Sequence, residues 1–142
     1  MTLPSFSHLA AADCPVFRIA AGESNKFVML VNPLVEKTGF IQVLEIFDLK
    51  GFTPPNQHRA AEEVFVVLFG QGVASLGDAR VDIKPGSVLL LRPGHMHAVR
   101  NTGETRLYCL TTMVPDEDFA RLITSGVPDG LDKVDLAVLG WA

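Results

Sequence analysis

Short apolar runs, each cut off by a turn signal, dominate residues 26–113. Residues 26–31 form the first run, ended by Asn32-Pro33, and residues 40–47 the second, ended by Asp48 and Gly51. Residues 63–69 stop at Gly70-Gln71-Gly72. Residues 73–76 and 80–83 flank Gly77-Asp78, a hairpin-length connection. Lys84-Pro85-Gly86 turns the chain into residues 87–91, and Arg92-Pro93-Gly94 breaks it again. Residues 97–100 lead to Asn101-Thr102-Gly103-Glu104, and residues 105–113 are the last long run. About eight strands on hairpin-length loops predict an all-β sandwich or barrel rather than a βαβ fold.

Two runs are apolar on both faces. In 63–69 one parity carries Phe65, Val67 and Phe69, and the other carries Val64, Val66 and Leu68. A strand with one wet face alternates, so the outer face of such a strand is expected to be covered by another segment or a second subunit. Beyond Met113 the pattern changes. Pro115 and the acids Asp116, Glu117 and Asp118 mark a helix start, where the dipole favours negative charge. Phe119, Leu122 and Ile123 recur at helical spacing, and Gly126 and Pro128 end the stretch. A second helical stretch, 132–139, places Leu131, Val134 and Val138 on one face. The expected organisation is one domain over 1–142, with a barrel core at about 26–113 and a helical tail at about 116–142.

Composition narrows the class. Apolar residues are 48% and charged residues 20% of the 142, which excludes disorder for the bulk of the chain. The net charge of −4 carries no sign of the basic stripe of a nucleic-acid binder, and no apolar run is long enough to span a bilayer. The N-terminal residues 1–17 hold no lysine or arginine and no leader-like apolar core. Cys14 and Cys109 are too few for a disulfide framework; Cys109 reads as a small buried hydrophobe. The expected setting is soluble and cytoplasmic.

The chemistry sits in the histidines. Of four, His58, His95 and His97 fall near turns at strand ends, and His8 lies in a terminal arm. Glu63 follows His58 by five residues and Gly70 follows Glu63 by seven; further on, Gly86 leads through Pro93-Gly94-His95-Met96-His97 to Asn101. In these two segments the sequence resembles the cupin superfamily, in particular small single-domain quercetinase-like, RmlC-like members. Gly51…Asn56-Gln57-His58…Glu63…Gly70 corresponds to the first cupin motif, and Gly86…Pro93-Gly94…His97…Asn101 to the second. There are three departures: Asn56 stands where the first metal-binding histidine belongs, Gly51 is one residue too close to it, and Arg92 replaces a proline.

The resemblance implies an all-β double-stranded β-helix, a jelly-roll barrel with a short C-terminal helical tail. It implies one divalent ion, iron, manganese, nickel or zinc, held by His58, Glu63 and His97. Asn56 has three roles open to it: ligation through its amide oxygen, holding a metal-bound water, or neither. Gln57 is its rival if the local register slips by one. His95, Phe65, Val67 and Gln57 are expected to line the cavity. Independently of the family, Asn56 and His58 share a face if their segment is extended, whereas His58 and Glu63 have opposite parity and converge only if Arg59-Ala60-Ala61 forms a turn or bulge. A dioxygenase-type reaction on a small oxygenated or aromatic molecule is the leading expectation. Isomerase, lyase and cyclase chemistry and a non-catalytic sugar- or small-molecule-binding module remain open.

The doubly apolar runs 40–47 and 63–69 further predict a homodimer, because a monomer of this size rarely exposes a large apolar patch. Sedimentation velocity at micromolar concentration is expected to show a species of twice the chain mass.

Overall fold

The computed structural model describes residues 2–142. After a single 3-10 turn at Ala11–Asp13, the chain runs β1 (Val16–Arg18), β2 (Asn25–Val31), α1 (Pro33–Glu36), β3 (Ile41–Phe47), β4 (Glu62–Phe69), β5 (Gly72–Leu76), β6 (Ala79–Ile83), β7 (Val88–Leu91), β8 (His97–Asn101), β9 (Leu107–Val114), α2 (Phe119–Thr124), β10 (Val127–Asp129) and α3 (Lys133–Leu139). Two antiparallel sheets result. One has seven strands in the order β10-β1-β2-β3-β9-β4-β7, and the other has three in the order β6-β5-β8. This is the jelly-roll arrangement expected from the turn-separated runs. Among the described residues no helix is long and apolar enough to cross a membrane.

The side-chain period of two sorts each strand into an inner and an outer set. Phe47, Phe65, Val67, Leu89, Leu91, Val99, Leu107 and Cys109 fill the barrel between the sheets. Val28, Leu44, Ile46 and Tyr108 face the other way and bury themselves under Leu131, Val138, Leu139 and Trp141 of the C-terminal segment. The outer face of 40–47 is therefore covered by this chain's own tail. The outer face of 63–69 is not: Val64 and Val66 are half-buried, and Leu68, Val88 and Leu90 are exposed.

The tail differs from the helical expectation in two ways. A strand, β10, lies between its two helices and pairs with β1 on the edge of the large sheet, Phe17 opposite Pro128. An edge position tolerates the proline, which cannot donate to a ladder on both sides. Within α3 the buried position is Asp135, fully inaccessible, while Val134 is exposed. Asp135 accepts from Lys26 Nζ at 2.5 Å, Tyr108 Oη at 2.8 Å and Arg106 Nη1 at 3.0 Å. It also closes a capping box with Asp132. These partners compensate its burial, and they pin α3 to β2 and β9.

Removing one partner of such a pair leaves an uncompensated buried charge. Asp135→Ala is expected to cost about 3–5 kcal/mol of unfolding free energy, measured by urea denaturation. A loss within the range of an ordinary surface substitution would count against the pairing as described.

Candidate metal centre

His58, Glu63 and His97 converge at one end of the barrel. Each offers a ligand atom, and these atoms lie within 4.8 Å of one another. Glu63 Oε1 is 3.1 Å from His58 Nε2 and 3.3 Å from His97 Nε2. Bonds of ~2.1 Å to a divalent ion place adjacent ligand atoms ~3.0 Å apart in octahedral and ~3.4 Å apart in tetrahedral geometry, so the donor set fits an ion with little movement. His97 Nδ1 lies 3.3 Å from the His95 carbonyl oxygen. A carbonyl only accepts, so Nδ1–H donates to it and Nε2 is directed at the centre, the outer-shell arrangement that orients a ligating imidazole. Burial alone pushes Glu63 up, but the hydrogen bonds from His58 and His97 outweigh it and hold the carboxyl below its ordinary range. The same hydrogen bond to Glu63 raises His58 above the ordinary imidazole value against the opposing effect of partial burial.

Three pieces of backbone bring these groups together. Glu63 faces inward from β4, in register with Leu91 and Met113. His97 opens β8 of the opposite sheet, and its N–H and carbonyl exchange hydrogen bonds with those of Asn56 at 2.8 and 2.9 Å. Gly94, at φ +80°, donates its N–H to the His58 carbonyl at 2.7 Å, so the Pro93-Gly94 turn props the histidine loop. The parity conflict between His58 and Glu63 is resolved by a bend at Arg59 and Ala60. The Glu117 carboxylate fixes that bend. It accepts the N–H of Arg59 at 3.2 Å, that of Ala60 at 2.9 Å and that of Ala61. These bonds, the one from Ala60 foremost, hold Glu117 below its ordinary value. Its acidity therefore serves the histidine loop rather than the start of α2. The motif asparagine, Asn101, is also structural: its buried amide donates to the carbonyls of Asp48 and Thr105, both at 2.9 Å.

A cavity of about 400 Å³ opens beside the three donors. Its walls include Phe27, Phe65, Met113 and Phe119, with Gln57 and Asn56 near the mouth. Two residues expected in the lining lie elsewhere. Val67 is sealed deeper in the barrel core, below Phe65 on the same strand face. His95 is exposed on the Pro-Gly turn beside Leu76 and Arg92, because the chain is still reversing there. Asn56 lines the cavity, but its amide nitrogen donates to the Pro54 carbonyl at 2.9 Å, the local use common for a turn amide.

The sequence reading missed a second polar locus. Glu45, 2% exposed, projects inward from β3, and its Oε2 accepts from Asn25 Nδ2 at 2.8 Å. Burial first, then the negative charge of Glu63, push the Glu45 carboxyl up to about 8 against the pull of the Asn25 hydrogen bond. The signal was present: Glu45 has the inward parity of Val43 and Phe47 in an otherwise apolar run.

The family follows from this geometry and from comparison. The Cupin domain family matches residues 43–113, half of the chain. The chain belongs to the cupin superfamily. It is 32% identical over 59 residues to an oxalate-binding protein of Thermotoga maritima, over 42% of this chain and 49% of that protein; the chain thus spans about half the length of this curated relative. Among solved structures it is similar to a predicted oxalate decarboxylase of Thermotoga maritima, with a TM-score of 0.67 at 19% identity over 78% of this chain and 99% of the other. It is also similar to an RmlC-like cupin of Shewanella frigidimarina, with a TM-score of 0.65 at 20% identity over 82% and 96%. At such identities the solved structures speak for the fold alone.

Two outcomes are expected. Glu117→Ala removes no metal ligand but frees the loop that carries His58, so metal affinity should fall about tenfold, read by calorimetric titration; unchanged affinity would refute the clamp. Glu45 titrates at 4.5 in an unfolded chain and at about 8 in the fold. The folded protein therefore binds the extra proton across that window, and stability falls as pH rises through it. Glu45→Gln, neutral throughout, should match the native protein near pH 4.5 and melt at increasingly higher temperature than it toward pH 8. Parallel melting curves across the window would contradict a protonated Glu45.

Proposed function

We propose that this chain is a metal-dependent cupin that holds one divalent ion through His58, Glu63 and His97 and acts on a small oxygenated or aromatic molecule in the adjoining cavity. A dioxygenase-type reaction is the leading chemistry. The observation that carries this reading is the separation of 3.1 and 3.3 Å between the shared carboxylate oxygen and the two imidazole nitrogens, beside a cavity walled by aromatic rings. Two imidazoles and one carboxylate suit iron, manganese, nickel or zinc. When bound, such an ion supplies Lewis-acid polarisation of an oxygen function and, if it is iron, redox chemistry toward dioxygen. The protein's own groups do the rest. Glu63 offsets the charge of the ion, His97 is oriented through Nδ1, the rings of Phe27, Phe65 and Phe119 exclude water, and Glu45 holds a proton at its carboxyl.

The locally engaged amide of Asn56 favours a second reading, a non-catalytic module that binds a sugar, oxalate or another small ligand. The name of the Thermotoga relative, an oxalate-binding protein, supports the same reading. In either version we read the chain as a cytoplasmic homodimer, paired through the open outer face of β4 and β7.

Elemental analysis of natively purified protein should find one divalent ion per chain. His97→Ala should lower metal affinity at least about tenfold. Asn56→His should raise it, because residues 56 and 97 are a directly opposed antiparallel pair whose side chains share one face. If neither substitution changes affinity, the ion is not held here. Oxygen uptake with phenolic substrates separates the enzyme from the binding module.

A further inference from the structure

The cavity lining has an unusual charge balance. It contains four carboxylates, Glu23, Glu63, Glu117 and Asp118, together with the protonated carboxyl of Glu45, and among the described residues no lysine or arginine. Arg100 stacks on the ring of Phe52 with its guanidinium carbon 5.1 Å from the centroid and is not part of the lining. A bound anion would therefore find no lysine or arginine to meet it, only the two imidazoles that Glu63 already engages. Glu63 is buried, so dissolved ions mask its charge little, whereas Glu23 and Asp118 are exposed at the rim.

The second element is the Asn25–Glu45 pair. Both residues are buried, at 6% and 2% exposure, and both line the cavity on the β2–β3 wall, apart from the three metal donors. Glu45 Oε2 is taken by Asn25 Nδ2, whereas Oε1 makes no hydrogen bond to the described residues and is not sealed away, so it stays reachable from the cavity. Burying a carboxyl in an apolar barrel is unfavourable unless its hydrogen-bonding capacity is used. A ligand group that both accepts and donates would complete it.

We infer that the cavity selects an uncharged or cationic ring compound over an anionic one, and that Glu45, held by Asn25, anchors a hydroxyl or amino group of that ligand away from the metal donors. The inference deepens the metal-dependent reading above and rests on it for the oxygen atoms placed at the ion. Protonation of Glu45 at neutral pH, caused chiefly by burial, is consistent with a donor facing a ligand oxygen.

The test uses catechols bearing a methyl, hydroxymethyl, aminomethyl or carboxylate substituent. All four offer the same pair of ring oxygens and differ only in the substituent, and the same series on the metal-free chain separates any contact of the substituent with the ion from the preference of the cavity itself. Each is titrated calorimetrically into the zinc-loaded full chain, with zinc stoichiometry measured beforehand. The hydroxymethyl and aminomethyl compounds should bind tighter than the methyl compound, and the carboxylate about tenfold weaker than the methyl compound. Glu45→Leu should erase the advantage of hydroxymethyl over methyl, with zinc stoichiometry still at the native value. Glu45→Gln, which can still donate and accept, should keep most of it. A carboxylate compound that binds as tightly as the methyl compound overturns the inference. So does an unchanged hydroxymethyl-to-methyl ratio in Glu45→Leu, or binding of all four weaker than about 1 mM. If the native chain takes up no zinc, it is the metal reading that fails. The same ranking on the metal-free chain then decides the inference: the stated order supports it, and a reversed or flat order overturns it.

Discussion

Glu63 stands second in the strand whose side chains fill the barrel, and its carboxylate is almost sealed from water. A charge in that position has to be matched from within, and much of the architecture at this end of the molecule follows from that need. His97 can reach Glu63 only if β8 is laid against the opposite sheet at the right height, which the exchange of backbone bonds with Asn56 secures. His58 starts on the wrong parity and reaches it only through the bend that Glu117 clamps from just beyond the end of β9. The Pro93-Gly94 turn is then held against the His58 carbonyl. The loops at this end are thus mutually dependent, and a single carboxylate is what they surround.

The strands and the three residues of the candidate site were legible in the sequence because both are written locally. Turn residues punctuate the strands, and the two motifs carry their ligands at fixed spacing. What the sequence hid is non-local. Strands β1 and β10 are three residues each and exist only as partners of one another and of β2, so no run of residues announces them. Asp135 looks like a helix-surface acid until Lys26 of β2 meets it. Glu117 resembles any acid at a helix start, and only the folded loop reveals three N–H groups waiting for it. Glu45 is the intermediate case. Its parity placed it inside, but a lone acid in an apolar strand gave no reason to ask what it does there.

The two polar clusters of the large sheet do different work from opposite faces of the same strands. On the outside, Lys26, Arg106, Tyr108 and Asp135 fasten the C-terminal helix. On the inside, Asn25 and Glu45 present hydrogen-bonding atoms to the cavity. Strand β2 carries Lys26 and Asn25 side by side, so the fastening of the tail and the shape of the cavity wall share one backbone. The tail enters the cavity itself as well: Phe119 packs edge-on against Phe27 with ring centroids 5.7 Å apart, and Leu122 lies in the lining.

This arrangement divides the chain by role. His58, Glu63 and His97 all fall within the segment that matches the cupin family, residues 43–113. Much of what surrounds the ligand space falls outside it: Asn25 and Phe27 before, Glu117, Phe119 and Leu122 after. The candidate metal site of the shared core therefore sits inside walls supplied by segments that the family pattern does not cover. Resemblance within 43–113 speaks for the donor set and the barrel. The charge and shape of the cavity depend just as much on the flanks, and there the residues of this chain have to be read on their own chemistry.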